Sequence, residues 1–362
     1  MKHVEEYRRK DLVTKMANEI AAKIDRPMTL MEVCGTHTMA VHRHGMPEIL
    51  PRQLRLLSGP GCPVCVTPIS YIDAAIELSR RDDMTLATFG DLVRVPGSST
   101  SLERRKAEGA DVVIVYSPLD AVSLAGQRPD RHVVFLAVGF ETTAPTVAAS
   151  ISEAKSKGVK NFSVLVGHKL VPPALVALLQ DKEVKIDGFI CPGHVSTIIG
   201  AKAYEPIVNE FGVPCVVAGF EPVDILAALS WLVEMVVTGK PQVRNAYTRV
   251  VTENGNTAAL KCMYEVFEAQ DSTWRGLGTI PASGLTMKDA YEELDAVNRF
   301  GLTMQDVPEI SGCCCGDVLR GAIEPTECAL FAVRCTPERP VGPCMVSSEG
   351  TCAAFYKYRL RR

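Results

Sequence analysis

Seven short apolar runs, each closed by a Gly-rich or polar turn, constrain this chain more than any other feature. They are LRLLSGPGCPVC, MTLATFGD, ADVVIVYSP, HVVFLAVGFETT, FSVLVGHK, IDGFICPGH and PCVVAGFEP. Each has a strand-length apolar core rich in β-branched residues, and most precede a helix-compatible segment such as ISYIDAAIELSRR or PTVAASISEAKSKG. Strand then helix, repeated, is the pattern of an α/β fold with parallel sheets, because parallel neighbours need a long crossover that a helix supplies. Seven such strands make one sheet or two smaller ones. Gly-Phe-Glu follows a strand at Gly139 and again at Gly219, which fits either two related α/β domains or chance similarity. The 362 residues exceed the roughly 250 to 300 at which a single core stops growing, so more than one domain is expected. An opening charged helix is expected over about residues 3–25, GKPQVRNAYTRVV reads as a linker, and the remainder reads as helical with Gly and Pro interruptions.

Charge excludes some partners. The formal net charge is −3, and no Lys/Arg run stands out beyond the terminal KYRLRR, so nucleic acid is not expected. The charged N-terminus lacks the apolar stretch of a secretory signal, and the most apolar later run, VDILAALSWLVEMVV, carries Asp224 and Glu234. No membrane span and a cytoplasmic location are the expectation. Thirteen cysteines in that compartment ask for metal or redox explanations.

Seven of those cysteines fall between Cys313 and Cys352, whereas all seven histidines lie at or before His194. A metal site built within this tail is therefore ligated by sulfur, which selects zinc or an iron-sulfur cluster. Structural zinc uses tight pairs, but Cys313, Cys328, Cys335 and Cys352 are widely spaced, which favours [4Fe-4S]. The first ligand can be Cys313, Cys314 or Cys315, and Cys344 is a further candidate.

Cys34 in EVCGTHTMAVHRHG is followed by His37, and a helix beginning after Gly35 would set the two on one side at i, i+3. Such a thiol can be a nucleophile or a metal ligand. Cys62-Pro-Val-Cys65 has no second C-x2-C to complete a zinc site, so it reads as a thiol/disulfide couple whose turn is set by Gly59, Pro60, Gly61 and Pro63. At the carboxyl ends of the expected strands stand Cys62, Cys65, Asp91, Glu141, His168, Cys191 and His194, where open α/β sheets bind ligands, and a shared cleft is expected there. Glu141 with the Thr142 and Thr143 hydroxyls could meet a ligand, and CPGHVSTIIG places His194 at an anion-friendly helix start. Neither G-x-G-x-x-G nor the P-loop pattern occurs. Cys215 and Cys262 read as buried thiols.

CGTHT, GPGCPVC, FGDLVRVPGS, GFETTAP, PGHVSTIIG and CTPERPVGPCMVSSEGTCAAFYKY, in that order, resemble the HypD family of nickel-iron hydrogenase maturation factors across essentially the whole chain. The resemblance implies two similar parallel-sheet domains around a cleft, at 30–132 and 133–243. A third, mainly helical and irregular iron-sulfur domain would comprise 1–29 and 244–362. It implies a scaffold for the Fe(CN)2CO unit, with transient iron on Cys34 and a cysteine of the small partner HypC. His37 would tune that site. Cys62 and Cys65 would be the redox pair, and Cys313, Cys328, Cys335 and Cys352 the ligands of a [4Fe-4S] cluster. HypE would deliver cyanide from a thiocyanate made with the help of HypF. The consecutive Cys314 departs from the family's pattern and leaves the first ligand open. A different class also fits the residues: a freestanding iron-sulfur thiol/disulfide oxidoreductase.

Overall fold

The computed structural model describes residues 6–305 and 307–359. Residues 3–5 of the expected opening helix lie outside them. The helix itself is α1, Lys10–Lys23, which buries Ala17 and Ile20 and packs along the apolar helix Pro222–Thr238. Nine parallel strands follow: β1 Met28–Glu32, β2 Leu54–Ser58, β3 Met84–Thr88, β4 Val112–Ile114, β5 His132–Ala137, β6 Phe162–Val166, β7 Gly188–Pro192, β8 Cys215–Ala218 and β9 Val243–Asn245. The seven expected runs are β2 to β8. The segment expected as a linker contains β9 instead, because Val243 to Asn245 continue the ladder beside β8.

One sheet has the order β2-β1-β7-β8-β9 and the other β4-β3-β5-β6. The strands confirm parallel α/β architecture but not the division at 132/133. The first sheet draws on 28–58 and 188–245, and the second on 84–166. The chain leaves the first sheet after β2, builds the second, and returns at β7 to lie beside β1. Apolar periodicity identifies a strand but carries no information about which strand is its partner. Buried side chains such as Phe135, Phe162 and Phe189 fill the sheet faces, each contributing on the order of 1.5–3 kcal/mol.

The region after 245 is less helical than expected. The helix Thr257–Val266 runs into an antiparallel hairpin, β10 Phe267–Trp274 and β11 Gly278–Met287. Its alternation is broken by a bulge between Gln270 and Ser272, which hides a period of two from the sequence. At the hairpin turn Gly276 has φ 78° and lies against Gly316 of the tail, too close for a side chain on either residue. The tail contributes the short helices Cys315–Arg320 and Thr351–Tyr358, joined by turns.

Candidate functional site

Strand register brings the two chemical motifs together. β1 and β2 are paired from Met28↔Leu54 to Glu32↔Ser58, so the loops that leave them run side by side. Gly59 N donates to Glu32 O at 2.7 Å, and Gly35 N donates to Gly61 O at 2.9 Å. Gly61 lies against the Cys34 backbone, leaving no room for a Cβ.

Cys34 is the N-cap of α2, Gly35–Arg43, and is 7% exposed. Its sulfur faces the N–H groups of His37 and Thr36 without closing a cap bond of ordinary geometry. Burial, reinforced by the carboxylate of Glu349, pushes its pKa up to about 12. A thiol so strongly protonated is a poor free nucleophile and gives up its proton when a metal cation takes its place. Glu32 beneath it is fully buried: Oε2 accepts from Cys34 N at 3.0 Å and Oε1 from Thr38 Oγ1 at 2.5 Å. Burial raises its pKa to about 8, despite those bonds.

His37, in the first turn of the same helix, is fully buried. Its Nε2 lies 2.9 Å from Gly219 O. A carbonyl only accepts, so Nε2 carries the proton and Nδ1 keeps a lone pair, which is buried and without a partner. Desolvation lowers the ring pKa to about 4. Phe220 lies between His37 and His194, at ring-centroid distances of 4.7 and 4.1 Å, so His194 from the end of β7 joins this group.

Cys62 caps the turn Pro63–Val66, its sulfur accepting from Cys65 N at 3.3 Å. The two sulfurs stand 2.6 Å apart, within reach of the roughly 2.05 Å of a disulfide. Cys65 is fully buried, which raises its pKa well above the usual thiol value, and its sulfur lies 3.8 Å from Pro343 O. The next residue, Cys344, has the sulfurs of Cys315, Cys352 and Cys65 as neighbours, and they hold its pKa well below the usual value. Cys344 therefore links the pair after β2 to the tail.

All seven tail cysteines line one cavity, together with Val318, Leu330, Phe331 and Met345. A side chain on Gly342 would stand 2.6 Å from Cys313 Sγ, so that glycine keeps the cavity open beside two cysteines. Backbone donors point at sulfur: Val341 N to Cys335 Sγ and Cys352 N to Cys344 Sγ, both at 3.3 Å. Among the described residues no three His, Cys, Asp or Glu side chains converge on a single ion position. Thiolates of a polynuclear cluster each hold a different iron, so a sulfur-lined cavity with N–H···S donors fits a [4Fe-4S] group without such convergence.

The other expected site residues come from both sheets. Asp91, Glu141 and His168 follow strands of the second sheet, while Cys62, Cys65 and His194 follow strands of the first and Cys191 lies within β7. Asp91 is exposed in the turn Gly90–Arg94. Glu141 is buried, and its Oε1 accepts from Val171 N at 2.9 Å at the start of the helix Val171–Gln180. Thr143 Oγ1 donates to Phe140 O at 3.2 Å, beside Thr142 in the same turn. His168 lines a polar cavity against β10 and β11. Cys191 lies in the core beside Cys215.

Two residues of the Cys34 surroundings are missed by the sequence reading. Glu349 Oε1 accepts from Thr36 Oγ1 at 2.6 Å, and a side chain on Gly35 would stand 2.7 Å from Glu349 O. Glu32 is two positions before Cys34, where a lone acid inside an apolar strand is the only clue. Among the described residues no helix is long and apolar enough to cross a membrane.

Comparison with known proteins identifies the family. The family described as "HypD: Hydrogenase formation hypA family" matches residues 10–359. A hydrogenase maturation factor HypD of Azotobacter vinelandii is 48% identical, over 100% of this chain and 98% of its own length. Those of Cupriavidus necator and Escherichia coli K12 are 47% and 43% identical, each over 99% of this chain and 97% and 98% of their own lengths. The chain belongs to the HypD family.

Proposed function

We propose that the protein is a hydrogenase maturation factor that serves as the scaffold on which the Fe(CN)2CO unit of a nickel-iron hydrogenase is assembled. The observation that carries this reading is the continuity of sulfur, from the Cys34 loop through Cys62 and Cys65 to Cys344 and the tail cavity. Iron, the cargo, is held by Cys34 and a cysteine of HypC, with His37, whose buried Nδ1 has no partner, in the first turn of the helix that Cys34 caps. HypE brings cyanide as a thiocyanate.

Cleaving the S–CN bond to a thiol and cyanide takes up two electrons. Oxidation of Cys62 and Cys65 to a disulfide provides two electrons and two protons; one proton goes to the departing sulfur, the other is released to solvent, and cyanide passes as the anion to iron. Cys313, Cys328, Cys335 and Cys352 would hold the [4Fe-4S] group, with Cys314 and Cys315 as alternative first ligands. Such a cluster supplies single electrons at low potential. Cys344 then joins the dithiol to the cavity, and the buried walls around Cys65 keep water and foreign thiols from the pair. That burial, 2% exposure for Cys62 and none for Cys65, supports the scaffold over a freestanding oxidoreductase, whose dithiol must meet a protein disulfide.

Metal analysis of anaerobically prepared protein tests the reading. Expected are about four irons with matching acid-labile sulfide per chain. Zinc without sulfide contradicts it.

A further inference from the structure

Beside the sulfur cavity lies a second cleft of different chemistry. Arg94, Arg104, Arg334 and Arg339 line it, opposed by Glu103 and Glu338, which leaves two positive charges in excess. Arg94 donates to Pro337 O and ties the loop 94–101 to the tail. None of the ion pairs among the described residues involves Arg104, Arg334 or Arg339. The whole chain carries −3, so this face runs against the overall charge.

The cleft touches the cavity through one stretch of chain. Arg334 precedes Cys335, a cavity residue, and Val341 lines the cleft while its N–H donates to Cys335 Sγ. Next to the arginines Ala332 and Val333 are exposed, Val333 to 77%. Ala332 has φ 58°, a left-handed conformation uncommon for a residue with a Cβ, and its N–H is bonded to Cys335 O at 3.1 Å. A small apolar tip beside a cationic cleft, on the stretch of chain that leads into the sulfur-lined cavity at Cys335, is the form of a transient electron-transfer surface.

We propose that this face docks an acidic one-electron carrier protein of the ferredoxin class. The inference rests on the function proposed above, and it names the source of the electrons. Two reduced carriers bind in turn, each losing one electron. The two electrons, with two protons, reopen the Cys62–Cys65 disulfide to two thiols. Opposite charge orients the carrier, so that its group faces Cys335 through the peptide at Val341.

The test uses full-length, cluster-loaded protein and a reduced acidic [2Fe-2S] ferredoxin as probe, with cluster reduction followed by stopped-flow absorbance. The wild-type rate should fall as salt is raised from about 50 to about 500 mM, where screening shortens to a few ångströms. The Arg334→Glu/Arg339→Glu variant, and independently Arg104→Glu, should react about tenfold more slowly and lose most of that salt dependence. Reduction by photoreduced deazaflavin, a small uncharged donor, should be equal in all three and shows that fold and cluster are intact. Weakened binding of oxidised ferredoxin, read by NMR titration, should accompany the slower rates. Equal ferredoxin rates in wild type and variants, or a wild-type rate indifferent to salt, overturn the docking surface alone. Protein without iron and sulfide overturns the proposed function and this inference together.

Discussion

Gly61 lies directly against the backbone of Cys34: its carbonyl accepts from Gly35 N at 2.9 Å, and a Cβ at position 61 would occupy the space of the Cys34 main chain. The thiol pair and Cys34 are thus fixed to each other by main chain, which no side-chain rotation can undo. Gly61→Ala should force the two loops apart at a cost of about 1–3 kcal/mol in urea unfolding. Iron retained through Cys34 should be lost, while sulfide content stays at the wild-type level. Unchanged stability with iron retained would show that the loops separate freely.

Cys344 tests the sulfur path. In Cys344→Ser the cluster should load, because the four expected ligands remain. The Cys62–Cys65 disulfide should then stay oxidised when a reductant is supplied to the cluster, as read by alkylation and mass spectrometry. Wild-type reduction of the disulfide in that variant would remove Cys344 from the path.

Glu349 raises the proton affinity of Cys34 through its charge. Glu349→Gln keeps an acceptor for Thr36 Oγ1 and removes the charge. The pH at which Cys34 is alkylated should therefore move to lower values, with the unfolding midpoint little changed. No movement would mean that burial alone sets the Cys34 pKa.

Glu141 gives the fold a pH dependence of unusual sign. Burial raises its pKa to about 7, and Oε2 is buried without a partner. Between the unfolded value of 4.5 and about 7, the unfolded chain releases its proton while the folded chain retains it. Stability from this group is therefore full below the lower value and is lost as pH rises to the upper one, by up to about 3 kcal/mol. Glu141→Gln should flatten that slope in urea unfolding at pH 5 to 8. An unchanged slope would assign the pH dependence elsewhere.

Much of this was legible in the residues, and the misses share a cause. β2 to β8 could be read because each joins a β-branched run to a turn, and α1 because the chain opens on a charged, helix-compatible stretch. Sheet membership could not be read, since β7 returns to β1 across the 155 residues of intervening chain (33–187), and no local pattern records such pairing. Cys34, Cys62 and Cys65 announced their chemistry by residue type. Their contact depends on the register Glu32↔Ser58, which is a property of the sheet. Glu349 was invisible for the same reason: only the tail's return to α2 makes it a neighbour of Thr36.

Infrared spectroscopy of the protein purified together with HypC tests the central claim most directly. The wild-type complex should show cyanide and carbonyl stretching bands of an iron-bound Fe(CN)2CO unit, and Cys34→Ala should lack them while retaining its cluster iron and sulfide. Bands of wild-type intensity in Cys34→Ala, or their absence from a wild-type complex that has been supplied with HypE, would contradict assembly on Cys34.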